Sequence, residues 1–132
     1  MDDLIALVSD FRARLESYRD DHGLTLQSFP EGACGDASIL LAHHLTQHGF
    51  GTFRYMCGRR GDATHAWLSD GELIIDITAD QFDDFDVPVF VSSTSSWHDA
   101  LDGGDIHEAA ITVWGDEWAA KFRAAYVALM MD

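Results

Sequence analysis

The stretch Ala63-Thr-His-Ala-Trp-Leu-Ser-Asp-Gly-Glu-Leu-Ile-Ile-Asp-Ile77 has two short apolar runs on either side of an Asp-Gly pair. Asp-Gly between two such runs is a strong local signal for a β-hairpin with a tight turn. A turn centred on Asp70-Gly71 would set His65 directly opposite Asp76, because antiparallel partners lie equally far from the turn. The stretch therefore predicts a hairpin that presents a histidine and a carboxylate on one face of a sheet.

A helix and one more strand are predicted before this hairpin. Apolar residues and histidines recur at spacings of three and four from Ala37 to His48, and Gly49 supplies a stop. The helix would begin near Cys34, which places that cysteine in the first turn. Partly alternating residues from Thr52 to Cys57 then predict a strand.

Amphipathic helices are predicted at both ends of the chain. Residues 3 to 19 repeat apolar side chains at spacings of four and three, and residues 116 to 131 do the same. The two predicted stripes are Leu4, Val8, Phe11, Leu15 and Tyr18 in the first helix, and Trp118, Phe122, Tyr126 and Leu129 in the second. Each stripe predicts a helix packed on a shared core.

The segment after Asp76 gives weaker patterns. Residues 80 to 86 read as an acidic, solvated turn, and residues 87 to 91, interrupted by Pro88, suit an edge strand or an extended loop. Ser96 is typical of an N-cap and predicts a short helix that ends at Gly103-Gly104. Together these elements predict an α+β fold in a single domain over residues 1–132.

Charge and hydropathy restrict the class of partner. The chain has 23 acidic and 8 basic residues and a formal net charge of −15. Such a field repels phosphate backbones, so it disfavours nucleic-acid binding and favours a basic partner, although acidity also simply keeps a small protein in solution. No apolar run approaches the roughly 20 residues that span a bilayer, and Met1-Asp2-Asp3 does not open a secretory segment. We expect a cytoplasmic protein without a membrane partner.

Three residues combine into a candidate catalytic set. A thiol in the first turn of a helix, as expected for Cys34, is favoured as the thiolate by the helix dipole. A nucleophile needs a base within reach, and the base needs a third group to orient its ring, which are roles that suit His65 and Asp76. Cys57, in a strand, is interpreted as a small apolar residue without chemistry.

The same residues carry a resemblance to a known family. The motifs Gly32-x-Cys34-x-Asp36-x-Ser38, His65-Ala66-Trp67 and Asp76-x-Thr78 resemble, in this order, the cysteine, histidine and aspartate motifs of the transglutaminase-like superfamily, a branch of the papain-like fold. The resemblance covers residues 32 to 78. It implies a catalytic cysteine at the start of a helix packed on a small antiparallel sheet. A papain-type alignment would instead set Ala37 at the nucleophile position, which the downstream spacing argues against.

The resemblance also implies further site residues. Gln27, seven residues before Cys34, would supply a second oxyanion donor beside the Cys34 amide. Trp67 would wall the substrate cleft, and Asp36 would cap the helix start or flank the cleft. Leu68-Ser69 and Ile77 stand where many members have glutamate and proline, so the substrate subclass stays open.

The predicted function is attack by Cys34 on a peptide or protein side-chain amide, through a thioester, with hydrolysis favoured over transfer to an amine. Neither a cofactor nor a metal is required. His44 and His48 have a spacing that could chelate a metal, but an exposed helix face is preferred for them. The alternative function is an acidic inhibitor or nucleic-acid mimic on an inactive papain-like scaffold.

Overall fold

The fold combines helices with one antiparallel sheet, as the sequence predicts. A computed structural model describes residues 2–18 and 22–131. The helices are α1 (Asp2–Ser17), α2 (Cys34–Gln47), α3 (Ser96–Asp99) and α4 (Asp116–Met130), with one 3-10 turn at Ala79–Gln81. The strands are β1 (Phe53–Arg60), β2 (Ala63–Ser69), β3 (Ile74–Asp76), β4 (Phe90–Ser92) and β5 (Asp102–Ala109).

The five strands lie in the order β4-β3-β2-β1-β5, and each neighbouring pair is antiparallel. Strands β4 and β5 are therefore the edges. Of the two alternatives for residues 87 to 91, an edge strand or an extended loop, the structure has a short edge strand that begins at Phe90. α2 packs against β1, β2 and β5, and α1 contacts both α2 and α4. The central helix thus presents its N-terminus to the middle of the sheet.

The hairpin register differs from the prediction by two residues. Leu68 pairs with Ile75 and Ser69 with Ile74, so four residues, 70 to 73, form the turn. The Asp70 carboxylate accepts the backbone N–H groups of residues 72 and 73 at 2.9 and 2.7 Å, which stabilises the longer loop. Because side chains alternate with a period of two, a shift of two keeps His65 and Asp76 on one face. They are diagonal neighbours, and the register continued by one residue sets Asp76 opposite Trp67.

Strand β5 is the element that the sequence analysis missed. The sequence predicts a short helix that ends at Gly103-Gly104, but α3 ends at Asp99, and both glycines lie in β5. Gly103 pairs with Gly58 on β1, and a Cβ atom on Gly103 would lie 2.2 Å from the carbonyl oxygen of Cys57. The glycine is therefore required because two backbones meet closely there.

The predicted stripes of the terminal helices form the core. Leu4, Val8, Phe11 and Leu15 are buried on α1, as are Phe122 and Leu129 on α4. The first helix ends at Ser17, and residue 19, its predicted last residue, lies outside the described part of the chain. None of the described helices is both long and apolar enough to cross a membrane.

A buried arginine connects α1 to the segment after β3. Arg12 donates to both carboxylate oxygens of Asp80 at 2.9 Å, to the carbonyl oxygen of Ile77 at 2.6 Å and to that of Pro88 at 3.1 Å. The prediction of a fully solvated acidic turn was therefore wrong for Asp80. The strong, bidentate pairing fixes the 3-10 turn against the first helix.

We expect Gly103→Ala to lower the free energy of unfolding by about 1–3 kcal/mol, because the added methyl group meets backbone atoms that cannot rotate away. Gly104→Ala is the matched control, since a Cβ there has nothing within 4 Å. Urea unfolding of both variants measures the difference. Equal free energies of unfolding for the two variants would contradict the close β1–β5 contact.

Candidate active site

The carboxylate of Asp76 is the centre of a buried polar cluster. Oδ1 accepts the backbone N–H groups of Thr78 and Ala79, each at 2.9 Å. Oδ2 accepts from two rings, with the Nε2 atoms of His65 and His98 each at 2.6 Å. The side chains of Asp76 and His65 have no exposed surface, and that of His98 has 2%. Asp76 therefore binds His65, as predicted, and also a second histidine that was not predicted.

Burial by itself raises the pKa of Asp76, but the hydrogen bonds outweigh it. Donation from His65, from His98 and from the Thr78 amide, together with the charge of His65, lowers the pKa to about 2. The carboxylate is therefore ionised at neutral pH. An ionised carboxylate can only accept, so both imidazole rings donate their Nε2–H groups to it.

His65 is the link between Asp76 and Cys34. Burial lowers its pKa, whereas hydrogen bonding with Asp76 and with the Cys34 side chain, and the charges of both groups, raise it to about 9. Because Nε2 of His65 donates to Asp76, Nδ1 is the nitrogen that can interact with the Cys34 side chain. The Nε2 atom of Gln81 lies 3.5 Å from the same Nδ1. At neutral pH the His65 ring thus carries a proton beside the thiol.

Cys34 is the first residue of α2, as predicted, and is partly exposed. Beside the next residue of the helix, the hydroxyl oxygen of Tyr55 lies 2.9 Å from the position that a Gly35 Cβ would take. Burial, followed by the charges of Cys34 and Cys57, raises the pKa of Tyr55. Tyr55 therefore keeps its proton and presents a donor next to the helix start.

Aromatic rings enclose His65. Trp67 lies parallel to it with ring centroids 5.9 Å apart, while Phe82 and Trp97 meet it edge-on at 5.3 and 5.7 Å. Trp67 is buried and also packs on His98 at 4.9 Å. Trp67 therefore supports both histidines from within the fold.

Asp36 and Gln27 are the other two predicted site residues. Asp36 is buried, and its carboxylate accepts from the backbone N–H and the hydroxyl of Thr25, at 2.8 and 2.7 Å. Asp36 therefore fixes the preceding loop against α2, and its role beside a cleft stays a prediction. Gln27 is exposed in that loop, and among the described residues no hydrogen bond joins it to Cys34 or His65.

The polar cluster also has the composition of a metal site. One ligand atom each of His65, Asp76 and His98 lies within 4.8 Å of the others, a grouping that the sequence analysis did not anticipate. In a tetrahedral zinc site, however, ligand atoms about 2.0–2.2 Å from the metal stand roughly 3.3 Å apart. The observed separations of 2.6 Å between Nε2 and Oδ2 are those of charge-assisted hydrogen bonds.

The histidine pair on α2 does not form such a group. His44 is buried, and its Nδ1 lies 2.7 Å from the hydroxyl of Tyr126. Burial, and then the neighbouring His48, lowers the pKa of His44 to about 4. Within residues 2–18 and 22–131, no third ligand joins His44 and His48 in a metal-binding cluster.

Neither a family model nor a curated protein nor a solved structure matches the chain. Function is therefore inferred from the chemistry of the site.

We expect the wild type to have a higher free energy of unfolding than Asp76→Asn at about pH 4. This difference should become about 2 kcal/mol smaller as the pH falls from about 4 to about 2. A carboxylate with a folded pKa of about 2 and a usual pKa of 3.8 contributes stability above its usual pKa, and loses it as the pH falls through its folded pKa. Urea unfolding at several pH values measures this. Asp86→Asn, an exposed carboxylate on the following loop, is the control. A pH-independent difference for Asp76→Asn would contradict the buried, ionised carboxylate.

Proposed function

We propose that the protein is a thiol enzyme of the transglutaminase-like and papain-like kind, with Cys34 as nucleophile, His65 as acid and base, and Asp76 as the orienting carboxylate. One observation carries the proposal: a cysteine in the first turn of α2 interacts with a histidine whose other nitrogen is bound to a buried carboxylate. A nucleophile, a base and a group that orients the base are the parts that such catalysis needs.

The charge state of the site supports a cysteine nucleophile. A His65 pKa of about 9 means that the ring is an imidazolium at neutral pH, with a proton that it can transfer to a leaving amine. Reactive cysteines in proteins lie beside such positive charges and at helix N-termini. Asp76 in turn stabilises the imidazolium and holds its ring with Nδ1 toward the sulfur.

The reaction proceeds in two halves. The Cys34 sulfur bonds to the carbonyl carbon of an amide, and the C–N bond breaks as His65 transfers its proton to the leaving amine. The product is a thioester between Cys34 and the acyl group. His65, now neutral, takes a proton from water, whose oxygen attacks the thioester and releases a carboxylic acid. The Cys34 thiolate and the His65 imidazolium are thereby restored.

The oxyanion formed in each half needs hydrogen-bond donors. The backbone N–H of Cys34, in the first turn of α2, has no partner within its own helix and supplies the first. We assign the second donor to the Tyr55 hydroxyl instead of to Gln27. Tyr55 lies against Gly35 and keeps its proton, whereas Gln27 is exposed in the loop.

The substrate class follows from the chemistry and the charge. Attack on a carbonyl with an amine leaving group fits a peptide bond or a protein side-chain amide. The net charge of −15 favours basic segments of such a substrate.

The same acidity favours a second candidate, an acidic inhibitor or nucleic-acid mimic that does not use its thiol. The two candidates differ in what Cys34→Ala does. This variant abolishes the activity of an enzyme but leaves the binding of an acidic inhibitor intact.

We expect iodoacetamide to alkylate Cys34 at least about tenfold faster than Cys57 at about pH 7, because Cys34 lies beside the His65 base at a helix N-terminus and Cys57 lies in a strand. Burial, and then the charge of Cys34, raises the pKa of Cys57. Mass spectrometry of the two peptides gives both rates in one sample.

Two variants test the origin of this reactivity. His65→Ala should lower the Cys34 rate toward that of Cys57, because the adjacent positive charge is lost. His48→Ala, which alters an exposed histidine at the other end of α2, should leave the Cys34 rate unchanged. Equally slow alkylation of both cysteines in the wild type would overturn the proposed function.

A further inference from the structure

His98 is the buried group that the proposed mechanism does not use. It lies in the four-residue helix α3, and its Nε2 contacts the same Asp76 oxygen as His65 does. Its other nitrogen, Nδ1, lies 2.6 Å from the hydroxyl oxygen of Ser95. His98 therefore bridges the carboxylate and the residue that caps its own helix.

The direction of the hydrogen bond between His98 and Asp76 can be assigned. The ionised Asp76 carboxylate only accepts, so Nε2–H of His98 donates to it. The Ser95 oxygen accepts the backbone N–H of His98 at 3.1 Å, and its hydroxyl hydrogen and second lone pair remain for Nδ1. The His98 ring is thus held on both sides, by Asp76 at Nε2 and by Ser95 at Nδ1.

The His98 ring affects how the Asp76 carboxylate is oriented toward the His65 ring. The Oδ1 atom of Asp76 is fixed by two backbone amides, so the orientation of Oδ2 depends on the two rings that donate to it. Without His98, a buried anionic oxygen would lose one of its two ring donors in a place with no exposed surface. The hydrogen bond to His65 would then be the one ring contact left to orient Oδ2, and the direction of this oxygen would be less constrained.

We propose that His98 is a positioning residue for the thiol: it holds Asp76 toward His65, in the sequence Ser95, His98, Asp76, His65, Cys34. This inference rests on the proposed function. His98 does not touch the reacting atoms, and it acts by keeping the His65 ring oriented toward Cys34. Structural packing against Phe90 and Trp97, at 5.4 and 4.9 Å, is the competing role.

A matched pair of variants separates the two roles. In His98→Gln the side-chain amide can reach Asp76 and donate, whereas His98→Met has a similar length and no donor. We expect His98→Met to slow alkylation of Cys34 by iodoacetamide by up to about tenfold, and by less than His65→Ala does, because His65 keeps its own hydrogen bond to Asp76. His98→Gln should keep most of the rate, and Ser95→Ala should lie between the two.

The pH profile of the alkylation rate gives a second readout. A misoriented His65 changes the pH range over which the thiolate forms, so the profile of His98→Met should be displaced from that of the wild type. Equal rates and superimposable profiles for the Gln and Met variants and the wild type would overturn the proposal and leave His98 a packing residue. Urea unfolding of each variant confirms that the compared samples are folded.

The wild type alone provides a test that does not depend on any variant folding. Two-bond ¹⁵N–¹H correlation spectra of ¹⁵N-histidine-labelled protein should show a proton on Nε2 of His98, with a hydrogen-bonded, slowly exchanging signal. An Nε2 nitrogen without a proton would overturn the assignment. So would stoichiometric zinc in the wild type that His98→Met loses, since His98 would then be a metal ligand.

The failure of this inference differs from the failure of the proposed function. Slow alkylation of Cys34 in the wild type would overturn the proposed enzyme function, while the proton on His98 Nε2 would still report the hydrogen bond to Asp76. Fast alkylation of Cys34 in both the wild type and His98→Met would overturn only the role of His98.

Discussion

A negative charge held entirely out of water is the constraint on which this structure depends. The Asp76 carboxylate cannot be buried unless donors surround it, and the donors come from β2, from α3 and from the backbone that follows β3. Each of these segments is thereby placed relative to the others. The 3-10 turn follows directly, because the amides of Thr78 and Ala79 must point back at Oδ1. Short elements such as β3 and α3, which have three and four residues, gain a defined position from this carboxylate.

A second buried ion pair supports the first from outside. Arg12 holds Asp80 and the carbonyl oxygen of Ile77, so α1 contacts the segment that carries the Asp76 donors. The N-terminal helix is distant from Cys34 in sequence, yet it stabilises the turn on which the orientation of His65 depends. In a chain with 23 acidic residues, pairing Asp80 with a buried arginine also removes one negative charge from the neighbourhood of Asp76.

The sequence predicts what depends on periodicity and on local chemistry. The stripes of α1, α2 and α4, the cysteine at the start of α2 and the shared face of His65 and Asp76 all follow from such patterns. The hairpin register does not, because the Asp70 side chain binds two backbone amides and lengthens the turn. β5 was missed because its Gly103-Gly104 pair suggests a helix end, and the glycines are needed only when β1 lies alongside. His98 was missed for a related reason: its contact with Asp76 exists only after β4 has paired with β3.

The residues of the site differ in exposure, and this difference bears on the chemistry that the site can perform. Asp76, His65 and His98 have almost no exposed side-chain surface, whereas Cys34 is partly exposed. Burial strengthens the hydrogen bonds among the first three and excludes competing water, so the His65 ring has few orientations open to it. In the proposed mechanism, a substrate meets this ring at Nδ1, beside the Cys34 sulfur, and the leaving amine accepts its proton there. Folding would then establish the orientation of the base before any substrate binds, and binding energy would be left to place the carbonyl carbon against the sulfur.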